Sequence, residues 1–153
     1  SNLVFTSLIQ KDIKSGFDYL NRIDEQFTDD LDLKMYKCLL YYFGHEYTKS
    51  KECIASFLRK VKDSKYNENF IRALKYMMDN KPMKAIANFE TCYQIALKNG
   101  QYDRAIFVLK QLNELYLDCG LQNKLRKVKE LQENFYKMSY ANQIIEDIEL
   151  KLN

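Results

Sequence analysis

The stretch FIRALKYMMDNKPMKAIANFETCYQIALKNG, Phe70 to Gly100, decides how this chain reads. Phe70, Ala73, Leu74 and Met77 share one side of a helix, at the spacing a 3.6-residue period demands. Asp79-Asn80 stops that helix, and Pro82 stands where a first-turn proline forfeits no hydrogen bond. A second helix then carries Ala85, Ile86, Phe89, Cys92, Tyr93, Ala96 and Leu97 as a broad apolar stripe, and Asn99-Gly100 supplies a left-handed C-cap. The unit is a helical hairpin closed by a tight turn.

The pattern extends in both directions. Upstream, Leu3, Val4, Leu8 and Ile9 mark a short helix, followed by Ile13, Phe17, Leu20, Ile23 and Phe27 on one face of the next. Thr28-Asp29-Asp30 offers capping side chains to a helix with Tyr36, Leu39, Leu40 and Phe43 in its core, closed at Gly44 to Thr48. Another helix runs from about Ser50 to Lys60, with Cys53, Ile54, Phe57 and Leu58 inward. Downstream, Ala105, Val108, Leu109, Leu112, Leu115 and Tyr116 lead to Cys119-Gly120, and Leu121, Leu125, Val128, Leu131 and Phe135 define a partner helix. Ser139 then caps a last helix bearing Ile144, Ile145, Ile148 and Leu152, for about nine helices in all.

The second helix of each hairpin repeats a compact residue, an apolar neighbour and a larger apolar residue three positions on. The series is Gly16-Phe17 with Leu20, Cys53-Ile54 with Phe57, Ala85-Ile86 with Phe89, and Lys124-Leu125 with Val128. The third members lie 37, 32 and 39 residues apart, a period typical of stacked hairpins that bury their apolar faces only against neighbours. Phe70, Ala73, Leu74, Met77, Pro82, Ala85 and Phe89, then Tyr116, Gly120 and Leu125, make the chain resemble the tetratricopeptide-repeat family. The repeat is irregular, with no Trp in it, and in that respect looks like the repeat domains of peptide-sensing transcriptional regulators of low-GC Gram-positive bacteria. The resemblance implies an all-α, right-handed α-solenoid of about four hairpins plus a C-terminal capping helix. It also implies a concave groove, lined by the first helix of each hairpin, that binds a short peptide.

Composition fits that class. Only 4 Gly and 1 Pro occur among 153 residues, too few for a strand-and-turn architecture. Hydrophobic residues at 46% and charged residues at 29% exclude a disordered chain, and no apolar run approaches a membrane span. Cys38, Cys53, Cys92 and Cys119 are separated by 15, 39 and 27 residues, without metal-site spacing, and read as reduced core residues of a cytoplasmic protein. Ser1-Asn2 ahead of Leu3 reads as a cleavage scar, so residues 1–153 are expected to form one repeat domain of a larger protein.

The repeat register assigns groove positions to Lys34, Lys37 and Tyr41, then Glu68, Ile71, Lys75 and Met78, then Phe107, Lys110 and Glu114. Four lysines interleaved with aromatic and flexible apolar side chains suit an extended peptide bearing a carboxylate. The alternative is that these lysines are ordinary solvated residues on amphipathic helices. Asn67, Asn69 and Asn113 lie near the same face and have amides suited to a peptide backbone, although Asn67 equally suits a helix cap. A second basic cluster, Lys124, Arg126, Lys127 and Lys129, is interrupted by Glu130 and Glu133, and with a net charge of +3 it does not point to nucleic acid.

No catalytic set assembles. His45 is the sole histidine, in an inter-helix turn beside Glu46, and there is no phosphate loop, HExxH or nucleotide fingerprint. The sequence therefore predicts no enzyme, no metal and no cofactor. It predicts a protein- or peptide-binding module, the sensor or oligomerisation domain of a cytoplasmic regulator, in which bound peptide shifts the curvature of the stack. The alternative is a structural adaptor for a large protein partner. Ala141, Ile144, Ile145 and Ile148 give the last helix an apolar stripe that caps the stack, forms a homodimer contact, or fills the groove.

Overall fold

One backbone turn, used five times, organises the fold. In a computed structural model that describes residues 2–23 and 30–152, Lys11, His45, Asn80, Gly100 and Gly120 all take positive φ, between 55° and 68°. Each donates its amide to the carbonyl three residues back, and its successor donates to the carbonyl five back, as in Gly100 to Leu97 and Gln101 to Ala96. This double closure satisfies the last carbonyls of one helix while the chain reverses into the next. Only two of the five positions are glycine, so the other three accept the steric cost of a Cβ at positive φ. Within the break read at Gly44 to Thr48, Gly44 keeps φ −80° and its neighbour His45 takes the left-handed conformation.

Eight helices result among the described residues: α1 (Asn2–Ile9), α2 (Ile13–Ile23), α3 (Leu31–Phe43), α4 (Tyr47–Lys60), α5 (Lys65–Met78), α6 (Pro82–Lys98), α7 (Tyr102–Asp118) and α8 (Gln122–Leu152). Asp30 caps α3, accepting from the amides of Asp32 at 2.8 Å and Leu33 at 3.2 Å, and Pro82 opens α6. Phe27, Thr28 and Asp29 lie outside the described residues. Each helix packs on its successor, and α3 also packs on α1 and α5. Of the twelve repeated positions on the even-numbered helices, Gly16, Leu20, Ile54, Phe57, Ala85, Ile86, Phe89, Leu125 and Val128 are buried, Phe17 and Cys53 are half-buried, and Lys124 is exposed. At Gly16 the approach is close, since a Cβ there would lie 2.5 Å from the Leu40 side chain.

Aromatic residues of the odd-numbered helices meet in the centre. Phe107 on α7 lies 5.4 Å from Phe5 on α1, 6.4 Å from Phe43 on α3 and 5.5 Å from Phe70 on α5, the last pair stacked at 3°. Phe70 in turn meets Phe89 on α6 edge-on at 5.0 Å. Burying Phe70 and Phe107, with Phe5 and Phe43 half-buried against them, draws the odd-numbered helices together, so much of the expected groove is filled by the protein itself.

The chain's end departs from expectation. No ninth helix begins at Ser139; α8 runs unbroken for 31 residues. Neither Gly nor Pro occurs between Phe135 and Ala141, and a mid-helix serine is only mildly unfavourable, so nothing interrupts the backbone ladder. Nor does this half of α8 cover the stack: every residue from Tyr136 to Lys151 is exposed. No helix among the described residues is long and apolar enough to cross a membrane.

Candidate functional site

The C-terminal ends of the odd-numbered helices and the turns that follow them enclose a cleft. Its walls are Tyr42 and Phe43 of α3, Met77 of α5, Gln111 and Glu114 of α7, with Lys11, His45 and Tyr47 at the mouth. This part measures about 270 Å³. A further 200 Å³ continues past Phe43 and Glu114 to Lys110, Asn113 and Gln132. The repeated turn is what places Lys11 and His45 here, because each left-handed residue swings the chain across the end of its helix.

The polar groups of the cleft are loosely held. Lys11 and Glu114 face each other at 3.7 Å with both side chains largely exposed, a pairing worth at most about 1 kcal/mol and readily exchanged for a ligand. His45 Nδ1 and the Tyr47 hydroxyl share a hydrogen bond of 3.0 Å. Burial, with smaller contributions from Tyr47 and Glu114, pushes the Tyr42 hydroxyl above its usual pKa and keeps it a neutral donor. The Asn113 Oδ1 is buried without a hydrogen-bond partner in the protein, which costs about 1–3 kcal/mol unless something donates to it.

Nine of the ten groove residues read from the sequence, all but Glu68, divide among several places. Phe107, Lys110 and Glu114 line the inner part of this cleft, although Phe107 is only 3% exposed and contributes little surface. Ile71 is 0% exposed and belongs to the core, not to a groove. Lys75 and Met78 line a separate depression between α4 and α5, with Lys51, Ile54 and Leu58. Tyr41 packs at 4.9 Å on Phe17 of α2, under the ammonium of Lys49, and Lys37 lies near Cys53 of α4. Lys34 is half-buried on α3. The lysines do not converge, because the α3 register is turned by one residue and it is Tyr42, not Tyr41, that lines the cleft.

The other candidates also resolve. Glu68 is engaged by Lys65 and Arg72 on its own helix. Asn69 donates to the Lys65 carbonyl. Asn67 is buried in a clasp across three helices: it donates to Asp32 of α3 at 2.9 Å and accepts from Arg104 of α7 at 3.1 Å, while Arg104 and Asp32 pair at 2.8 Å. Burial pushes Asp32 up, but the hydrogen bonds from Asn67 and Arg104 and the guanidinium charge outweigh it and hold the carboxyl below its usual pKa.

A larger cleft, about 570 Å³, opens between α6, α7 and α8. Its principal polar groups already satisfy one another, Tyr116 donating to Glu90 at 2.6 Å and Lys124 at 2.8 Å. The candidate site is therefore the smaller cleft, whose inner wall includes Asn113, its buried side-chain oxygen unpaired. Sequence reading missed Lys11, Tyr42, Gln111 and Asp118 of its lining; the stop signals at the helix ends were visible, but not that those ends converge. Compared with known proteins, the chain matches no protein-family model, no curated protein and no solved structure.

Proposed function

We propose that this chain is a polypeptide-binding helical-repeat module, a tetratricopeptide-like solenoid of hairpins. In this reading it holds an extended peptide in the cleft at the ends of α1, α3, α5 and α7. The repeated turn and the recurrent buried positions of α2, α4, α6 and α8 support the repeat reading. The observation that carries the binding reading is the Asn113 side-chain oxygen beside the cleft, buried and unpartnered, which a rotation of the amide turns towards a peptide N–H. Aromatic walls at Tyr42, Phe43 and Tyr47 take apolar side chains. Glu114 and Asp118, together with the negative ends of the converging helices, favour a basic side chain or free amino group on the ligand. That charge preference replaces the acidic one inferred from lysines that do not meet. The module serves as the sensor or oligomerisation domain of a bacterial cytoplasmic regulator, with peptide binding favouring one curvature of the stack.

The test is selection of a random-peptide phage library on the immobilised chain, followed by calorimetry with a synthetic peptide of the enriched sequence. Asn113→Leu and Glu114→Lys should each weaken binding about tenfold or more. Lys37→Glu and Lys75→Glu should leave it unchanged. Absence of enrichment, or binding indifferent to Asn113 and Glu114, refutes the reading.

A further inference from the structure

We propose that the exposed half of α8, residues 136–151, is the docking arm of a homodimer, lying antiparallel to α8 of a second copy of this chain. The inference does not rest on the peptide-binding reading. Ile144, Ile145 and Ile148 are 42%, 54% and 52% exposed, and Met138 lies on the same side of the helix. An isolated helical arm this short is marginal in water, and its apolar stripe gains nothing from solvent.

Three observations select a second copy, and its orientation. The first is a heptad: Leu131, Met138 and Ile145 recur every seven residues, with Asn134, Ala141 and Ile148 between them. Antiparallel pairing of these two sets places Leu131 against Ile148 of the second copy and Met138 against its Ala141. The second is charge. The first half of α8 carries Lys124, Arg126, Lys127 and Lys129 against Glu130 and Glu133, and the arm ends in Glu146, Asp147 and Glu149 against Lys151. In this register antiparallel alignment brings Glu130 to Lys151 of the second copy and keeps the two basic runs at opposite ends, whereas parallel alignment sets each basic run beside its copy. The third is continuity. Val128 and Leu131 line the large cleft between α6, α7 and α8, with Tyr93, Leu109 and Leu112 in it and Lys124 and Lys127 at its edge. An arm laid along Leu131 enters that cleft with its isoleucines inward. The arrangement is reciprocal about a two-fold axis, so each copy gives an arm and receives one.

Sedimentation velocity of the chain should give twice the 18.3 kDa of one copy at micromolar concentration. Ile145→Glu with Ile148→Glu should give monomer, with the dissociation constant raised more than about 100-fold by buried unpaired charge. Both residues are exposed in the single chain, so the body's circular dichroism and melting should persist. Glu130→Lys should weaken the dimer about tenfold, and adding Lys151→Glu should restore it. A monomer at about 100 µM, or a dimer indifferent to the isoleucine variant, overturns the proposal. Failure of the charge swap to restore affinity overturns the antiparallel arrangement.

Discussion

Replacing Arg104 with methionine isolates the clasp that ties α3, α5 and α7 together. Methionine keeps most of the apolar stem but removes the fork that pairs with Asp32 at 2.8 Å, donates to Asn67 at 3.1 Å and lies 5.0 Å over the Tyr66 ring. Asn67 is 1% exposed, so stranding its Oδ1 costs about 2 kcal/mol. The ion pair, with Arg104 at 18% and Asp32 at 39% exposure, adds about 1 kcal/mol after screening. The cation–π contact adds about 0.5 kcal/mol. The variant should therefore lose about 3.5 kcal/mol, or about 10 °C in Tm for a chain of this size. Urea unfolding followed by circular dichroism measures this directly. The pH dependence gives a second reading. Asp32 is held below its unfolded pKa, so its contribution is complete above the ordinary carboxylate value of about 3.9 and is lost as pH falls through the lower folded value. The gap between wild type and Arg104→Met should narrow on that acid limb. A loss under about 1 kcal/mol at pH 7, or a gap unchanged by acid, refutes the assignment of the clasp's energy to these groups.

Phe107→Ala should be more damaging, about 3–5 kcal/mol, because it empties the point where α1, α3, α5 and α7 meet; denaturation matching an exposed-site substitution would contradict that packing. At the turns, Gly120→Ala at φ +68° should cost about 1 kcal/mol, whereas Lys11→Gly at φ 56° should be neutral or stabilising by up to about 1 kcal/mol; equal effects of opposite expectation would show the turns are not under backbone control. The contact with Cys38, opposed by burial and aided by the Lys37 charge, brings the Cys53 thiol down to about 7, while burial pushes Cys92 up. Iodoacetamide should therefore label Cys53 with a midpoint near pH 7 and leave Cys92 unmodified in the native protein, and mass-mapped labelling of Cys92 first would contradict this.

Much of this architecture was legible because its signals are local. Periodicity at Phe70–Met77 and Ala85–Leu97, Pro82 at a helix start and Asn99-Gly100 at a helix end each act within a turn or two of chain. Lys11 gave no such signal, since lysine does not favour positive φ, and at residues 44–48 the turn was legible but not that His45 takes the left-handed conformation. Ser139 misled for the complementary reason. Its side chain suits a cap, but a cap also requires the backbone to leave the helix, and nothing nearby makes it do so.

The site was less legible than the fold. Glu114 and Lys110, read as groove positions, line the candidate cleft because α7's apolar stripe is narrow enough to define its opposite face. On α3, Leu33, Met35, Tyr36, Cys38, Leu39 and Leu40 are all buried, so periodicity cannot say which side faces the cleft, and a one-residue rotation separates Tyr41 from Tyr42. Asn67 and Asn113 look alike in sequence; one is spent on Asp32 and Arg104, the other is left unpaired. The sequence by itself determined that the chain is helical and where most helices start and stop, because those depend on contacts within a few residues. Which aromatic rings fill the centre, which polar groups remain free and which end of α8 stands uncovered were decided only by tertiary packing, where residues a hundred positions apart, such as Phe5 and Phe107, compete for the same space.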